Sequence, residues 1–468
     1  MDRRRFLETT GAAVAALAAP AWRVLAAEAA QRPDRPNIIF ILADDVGMSE
    51  IGCYGGDAYK TPNIDRLATS GTRFEYGYAM PLCGPSRACA LTGRYPFRTG
   101  LIDNQSHQAI QPDRETMIPT VLKQAGYASA HVGKWGQMSL GPAEWGFDEH
   151  LVFAGSGRYW AEKNTGKKNR KRAAQKAYTE NGKPKPLAAG DYLPDRMHTF
   201  LVDFIRRHQQ RPFFAYYAMS HVHGPIQRTP DSRADATPAQ LYADNVAYMD
   251  TLVGRLLDEL DRLKLGEKTL VVFTGDNGTA RFGQDRSTLK GRRIHGQKGS
   301  MMEGGSRVPL IASWPGTTPA GVVNRDLTDF SDFFPTFAEV AGAAVPASLK
   351  IDGRSFAPQL RGRTGSPREW VYVELAGRSY VRDARYKLTN GGELFDMKDA
   401  PFNEIPIPRG AETGEARTAR SRLQRVLAEH PTAPGKGKGK AATDTTRGTQ
   451  PAAPRPSGSS ASAAGWSS

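Results

Sequence analysis

Cysteine is scarce in this chain, with three residues in 468 at positions 53, 83 and 89. Three thiols cannot build a disulfide framework, so an ordinary apolar core must hold the fold. Cys53 and Cys89 could pair, but they read better as small buried apolar groups. Long apolar runs are lacking too. The segment 11–21 is apolar but too short to cross a bilayer as a helix, which excludes a stable membrane span. Internal repeats are absent, which excludes a solenoid or a propeller. Acidic charge is in deficit, 48 aspartates and glutamates against 63 lysines and arginines, for a net charge of +15. A basic balance raises nucleic acid as a partner, yet most of the excess sits in residues 1–27, in 161–186 and beyond Pro431. The middle segment alone carries nine lysines and arginines against two glutamates. The remaining body is close to neutral and has no nucleic-acid motif, so nucleic acid is excluded.

What the chain does have is a repeated grammar of apolar strands that end in chemistry-bearing residues. Residues 37–43 form a continuous apolar run ending in Asp44-Asp45, and 270–274 end in Gly275-Asp276-Asn277-Gly278. Residues 127–132 lead to Gly133-Lys134, and 213–219 lead to His221 and His223. Runs of this length without alternation read as strands covered on both faces. Helix signals lie between them, over 61–71, 116–124 and 241–263, and this alternation predicts a large, mainly parallel α/β sheet with helices on both faces. The carboxyl ends of such strands are where α/β sheets bind ligands, so one rim collects acids, a lysine and a histidine. The main domain is placed at 36–345, interrupted by a basic insertion over 161–186 that reads as a solvated loop or as a rim attracting a polyanion. A strand after Pro309 and a helix over 330–340 close this domain. Residues 350–430 predict a smaller sheet-and-helix subdomain, with short strands near 371–373, 379–382, 386–388 and 393–395 and a helix over 411–429. Residues 431–468, rich in Ala, Gly, Pro, Ser and Lys, predict a disordered tail.

The densest stretch is Pro81-Leu-Cys-Gly-Pro-Ser-Arg-Ala-Cys-Ala-Leu-Thr-Gly-Arg94. Gly84 permits close backbone approach and Pro85 suits the start of a helix, which puts Cys83 at a helix N-terminus. Free amides, the positive dipole end and Arg87 one turn on favour an anion there. Asp44, Asp45, Asp276 and Asn277 offer only oxygen ligands, a set that suits a hard cation such as Ca²⁺ or Mg²⁺ better than zinc.

Cys83-Gly-Pro-Ser-Arg87 followed by Leu91-Thr-Gly-Arg94 resembles the signature of the formylglycine-dependent sulfatases. Thr61-Pro62-Asn63-Ile64-Asp65, Gly133-Lys134-Trp135, Gly146-Phe147-Asp148, Gly275-Asp276-Asn277-Gly278, Lys298-Gly299 and Glu303-Gly304-Gly305 extend the resemblance over most of residues 36–400. It implies an alkaline-phosphatase-like fold and hydrolysis of a sulfate ester, of a carbohydrate or an aryl alcohol. It implies that Cys83 is converted to Cα-formylglycine by a formylglycine-generating enzyme, and that its hydrate is the nucleophile. It further implies one divalent cation, calcium before magnesium, on Asp44, Asp45, residue 83, Asp276 and Asn277. Arg87 would hold the nucleophile, while Lys134, His223 and Lys298 would contact the sulfate or the leaving oxygen. Arg3-Arg4-Arg5-Phe6-Leu7 resembles a twin-arginine export motif, with small residues near 26–30 as a cleavage site, which implies a periplasmic or extracellular enzyme. One position departs from the family: many members continue Gly-Lys-Trp with a histidine, where this chain has Gly136 and Gln137. Glutamine cannot act as a base, so another group, His131 or His221 among the candidates, would have to serve sulfate release. Two other readings compete: a phosphodiesterase or phosphonate monoesterase of the same superfamily, and a catalytically silent sulfated-glycan binder.

Overall fold

The computed structural model describes residues 35–136, 138–153, 159–161 and 178–435. The export motif, Gln137, most of the basic insertion and the tail beyond 435 lie outside these residues.

The large sheet has ten strands: β1 (Asn37–Ala43), β2 (Thr72–Tyr78), β3 (Ala128–Gly133), β4 (Glu149–Phe153), β5 (Tyr178–Glu180), β6 (Lys183–Lys185), β7 (Phe213–Met219), β8 (Thr269–Gly275), β9 (Arg307–Ser313) and β10 (Val322–Asp329). Their spatial order is β10-β2-β9-β8-β1-β7-β3-β4-β5-β6. The centre, β8-β1-β7-β3-β4, is parallel, whereas β9 runs antiparallel to both neighbours. β1 is buried along its whole length because it feeds two cores. Ile38, Phe40 and Leu42 face one, and Ile39, Ile41 and Ala43 face the other. The helices Cys83–Thr92, Ile118–Gln124 and Phe333–Val340 bury apolar residues in the first core, and Pro62–Thr69, Leu193–Arg207 and Pro238–Arg262 in the second. This two-sided cover explains the uninterrupted apolar runs, since neither face of the strand meets water.

A second sheet of five antiparallel strands, β11 (Val371–Leu375), β12 (Arg378–Arg382), β13 (Tyr386–Thr389), β14 (Leu394–Asp396) and β15 (Ile405–Ile407), carries the helix Gly414–Glu429. Val373, Val381 and Leu423 from this part join the first core.

Two local readings of the sequence change. The end of the basic insertion is not loop: β5 and β6 form a hairpin on the edge of the large sheet. Its turn is Asn181-Gly182, with φ of 47° and 76°, the left-handed pair that a two-residue hairpin needs. The nucleophile helix begins at Cys83 itself, with Leu82 as the preceding cap residue, so Pro85 is its third residue and not its first.

The register sets the functional rim. Ala43 pairs with Gly275 on one side and with Met219 on the other, and Gly133 pairs with Ala218. The residues that follow β1, β8, β7 and β3 therefore leave the sheet side by side.

Candidate active site

Asp44 and Asp45 leave the end of β1, and both are buried. Backbone bonds continue the strand pattern past its end: Asp44 N–H donates to the His221 carbonyl at 3.1 Å, and Asp276 N–H to the Ala43 carbonyl at 2.9 Å. Asp45 then turns into the left-handed region with φ of 64°, which aspartate tolerates better than most residues. Its N–H donates to Asp276 Oδ1 at 3.1 Å, and Asn277 Nδ2 donates to its Oδ1 at 2.9 Å. Gly278 allows the next loop to close over this turn, since a Cβ there would lie 1.7 Å from the Gly304 carbonyl oxygen.

Three cations meet these three carboxylates. Arg87 donates from Nε and Nη2 to Asp276 Oδ2 at 3.0 and 2.7 Å, and its Nη2 lies 3.7 Å from Asp44 Oδ1. Its Nη1 donates to the Lys134 carbonyl at 3.1 Å and lies 3.4 Å from the Tyr216 hydroxyl. Lys134 Nζ stands 2.6 Å from Asp44 Oδ2, and Lys298 Nζ stands 2.5 Å from Asp45 Oδ1. His223 Nε2 is 3.9 Å from Asp45 Oδ2. The loop carrying Lys298 is tied to both sides of the site: Lys298 N–H donates to the Thr279 carbonyl at 2.9 Å, and Gly299 N–H to that of Pro81 at 2.8 Å.

Burial and partners decide the protonation states. Burial alone would raise the Asp44 carboxyl, but Lys134 and Arg87 outweigh it and hold the group below its ordinary range. Burial works against the Lys134 and Lys298 ammonium groups, yet Asp44 and Asp45 respectively raise them above the ordinary lysine value. All three stay charged at neutral pH. Burial pushes the Cys83 thiol up, so an unmodified Cys83 is a poor thiolate nucleophile.

Ligand atoms of Asp44, Cys83 and Asp276 lie within 4.8 Å of one another, as do those of Asp44, Asp45 and His223. Asp44 Oδ1 and Asn277 Oδ1 are buried without a hydrogen-bond donor. Two orphaned oxygen acceptors inside an oxygen-only set fit a hard cation. The structure thus brings together Cys83, Arg87, Lys134, His223 and Lys298 with Asp44, Asp45, Asp276 and Asn277. It gives neither candidate histidine a contact with them through its ring. His131 Nε2 lies 3.3 Å from the Gly133 carbonyl, and burial lowers its pKa to about 3. His221 Nε2 lies 3.1 Å from the Tyr192 hydroxyl, and burial lowers its pKa to about 4. The Nδ1 atoms of both rings are buried without partners. Gly136 is left-handed, with φ of 86°, and a Cβ there would meet Arg87 Cδ at 3.0 Å.

Two side chains at the site carry no motif. Asn104 Nδ2 donates to Cys83 Sγ at 3.3 Å, while its Oδ1 accepts from Gly84 N–H at 3.0 Å and lies 3.7 Å from Sγ. Glu50, fully buried, accepts from Gly47 N–H at 3.0 Å and from the Thr279 hydroxyl at 2.5 Å, so it clasps the loops after β1 and β8. A lone acid in the apolar stretch Val46-Gly-Met-Ser-Glu-Ile51 is a usable signal for Glu50; Asn104, in a polar loop, has none.

The family Sulfatase matches residues 36–343, and the family N-sulphoglucosamine sulphohydrolase, C-terminal, matches 294–404. The chain is 35% identical over 419 residues to N-acetylgalactosamine-6-sulfatase of Canis lupus familiaris, covering 81% of this chain and 78% of that protein. It is 34% identical to human arylsulfatase A, over 75% of this chain and 74% of that protein. Among solved structures, the PsFucS1 sulfatase from Pseudoalteromonas sp. superposes with a TM-score of 0.69 at 25% identity, over 87% of this chain and 91% of that one. Strand order, converging charges and these matches agree: the chain belongs to the sulfatase family, enzymes that hydrolyse sulfate esters on an alkaline-phosphatase-like sheet.

Proposed function

We propose that this enzyme hydrolyses the sulfate ester of a carbohydrate or an aryl alcohol after a formylglycine-generating enzyme has oxidised Cys83 to Cα-formylglycine. The observation that carries the reading is the convergence of three carboxylates, three buried or nearly buried cations and Cys83 on one rim. A thiol would form a sulfur-linked sulfate with no easy exit. The aldehyde hydrate supplies an oxygen nucleophile and, through its second hydroxyl, a route to expel sulfate.

Asp44, Asp45, Asp276 and Asn277, with residue 83, would hold one divalent cation, calcium in preference to magnesium. Such a cation lowers the pKa of an oxygen nucleophile bound beside it. Charge balance supports the assignment. The three carboxylates are already offset by Arg87, Lys134 and Lys298, so a divalent ion leaves the site with two excess positive charges for an anionic sulfate. Lys134 and Lys298 would stabilise charge spreading over the sulfate oxygens, and His223, partly exposed beside Asp45, would give the leaving oxygen its proton. Arg87 holds the carboxylates from behind. Export through the twin-arginine segment belongs to the same reading, with oxidation of Cys83 preceding folding.

The test is co-production with a formylglycine-generating enzyme, mass analysis of the Cys83 peptide, and parallel assays on aryl sulfates, sulfated saccharides and phosphate diesters. Loss of the thiol mass in favour of aldehyde or hydrate, with sulfate release dominant, is the expected result. A large preference for diesters overturns the sulfate assignment. Full conversion with no turnover on any substrate favours a silent glycan binder.

A further inference from the structure

We propose that Asn104 is a further catalytic residue, the amide that holds the side chain of residue 83 in its reactive orientation. The inference rests on the formylglycine reading of Cys83. Its basis is how the amide is oriented. Gly84 is the second residue of the Cys83–Thr92 helix, so its N–H lacks a partner within the helix. Asn104 Oδ1 accepts that N–H at 3.0 Å, which fixes Nδ2, at 3.3 Å, as the amide's donor toward Sγ, while the thiol itself reaches Oδ1 at 3.7 Å. The orientation follows from the backbone, because an N–H cannot be satisfied by an NH₂ group.

The loop that delivers Asn104 is tied to the second sheet by one bond and closed on itself by another. Ala376 N–H donates to the Ile102 carbonyl at 3.1 Å, and Asp103 Oδ1 accepts from Gln105 N–H at 2.9 Å. The amide is therefore presented from a hydrogen-bonded turn. When an oxygen replaces Sγ on the same carbon, Nδ2–H points at it, donates to it, and favours the oxygen as it gains negative charge. An amide donates without taking a proton, so Asn104 orients the nucleophile and is not its base. The His131 and His221 rings make their hydrogen bonds to the Gly133 carbonyl and the Tyr192 hydroxyl, and Gly136 has no side chain to offer.

Asn104→Asp separates the two functions of the amide, keeping the acceptor for Gly84 and removing the donor. At equal conversion of residue 83, verified by mass, kcat is expected to fall by about 100-fold or more, the scale of losing one aimed donor. In the neutral variant Asn104→Ser, KM should stay within about threefold and inhibition by inorganic sulfate should be unchanged, since Asn104 acts on residue 83 and not on the bound anion. A second readout needs no aldehyde. In protein made without the modifying enzyme, the Nδ2–H contact holds the Cys83 side chain in one orientation, so the neutral Asn104→Ser should change the alkylation rate of Cys83 by iodoacetamide at least about threefold. Cys53, partly exposed, serves as the internal reference. If the Asp variant does not fold, Asn104→Ser, too short to reach residue 83 and without the acceptor for Gly84 N–H, removes both functions of the amide together and should lower kcat at least as far. A kcat within about threefold of the parent at equal conversion, or equal alkylation rates, overturns the inference. A parent enzyme that lacks the aldehyde, or is inactive with it, overturns the formylglycine reading instead, and the alkylation result still judges Asn104.

Discussion

Arg87 and Asp276 have no solvent contact, so each depends on the other to keep its charge inside the protein. Breaking a buried pair from one side destabilises by about 3–5 kcal/mol, because the remaining charge is left unpaired. Arg87→Ala should therefore lower the unfolding free energy by about 3 kcal/mol in a urea titration. Arg87→Lys should recover only part of that, since an ammonium cannot span Asp276 and the Lys134 carbonyl together. Gly136→His offers a second check on single residues. Restoring the family's usual residue forces a side chain into the left-handed region and against Arg87, so it should lower stability by about 1 kcal/mol or more without raising kcat. At this scale the signature made Cys83, Arg87, Lys134, His223 and Lys298 legible, since each stands inside a motif of fixed spacing. Asn104 was not legible: its role depends on a loop returning to the helix start 20 residues earlier, and no periodicity records that return.

Between elements, Glu50 does for the loops after β1 and β8 what Arg87 does for side chains. Burial raises its carboxyl from 4.5 to about 7, opposed by hydrogen bonds from Thr279, Gly47 and Ser287. A carboxyl whose folded pKa is raised contributes its full stability below the unfolded value and loses it as pH rises through about 7. Glu50→Gln keeps the shape and removes the titration. Relative to the parent, this variant should gain stability between pH 5 and pH 8, by at most about 3 kcal/mol. Glu374, also raised to about 7, has the same sign but is common to both proteins and cancels. A difference that stays flat with pH would show that Glu50 is ionised throughout. The strand ends themselves were readable because two-sided burial forces apolar runs that stop where the chemistry starts. The β5–β6 hairpin was not read because its lysines resemble solvated loop, although Asn181-Gly182 carried the turn signal.

Over the whole molecule, the central strands β8, β1, β7 and β3 were legible for the same reason, whereas β2, β4 and β10 were not. At the sheet's edge β10 has β2 as its one strand neighbour and exposes Val322 and Val323 beside Asn324 and Arg325, so neither alternation nor a long apolar run marks it. The rim that matters is assembled from residues 44 to 298, and a ligand that joins its strand ends acts on global stability. An ion bound by the folded chain alone stabilises it by about 2.7 kcal/mol at a hundredfold excess over Kd. Chelator-treated protein should therefore gain a few degrees in Tm when calcium is added, and less with magnesium, in a calorimetric or fluorescence scan. The orphaned oxygens of Asp44 and Asn277 make the response specific, so Asp44→Asn and Asn277→Ala should each abolish most of it. Tm values that ignore calcium in the parent would remove the cation from the site and leave Lys134 and Lys298 as the partners of its carboxylates.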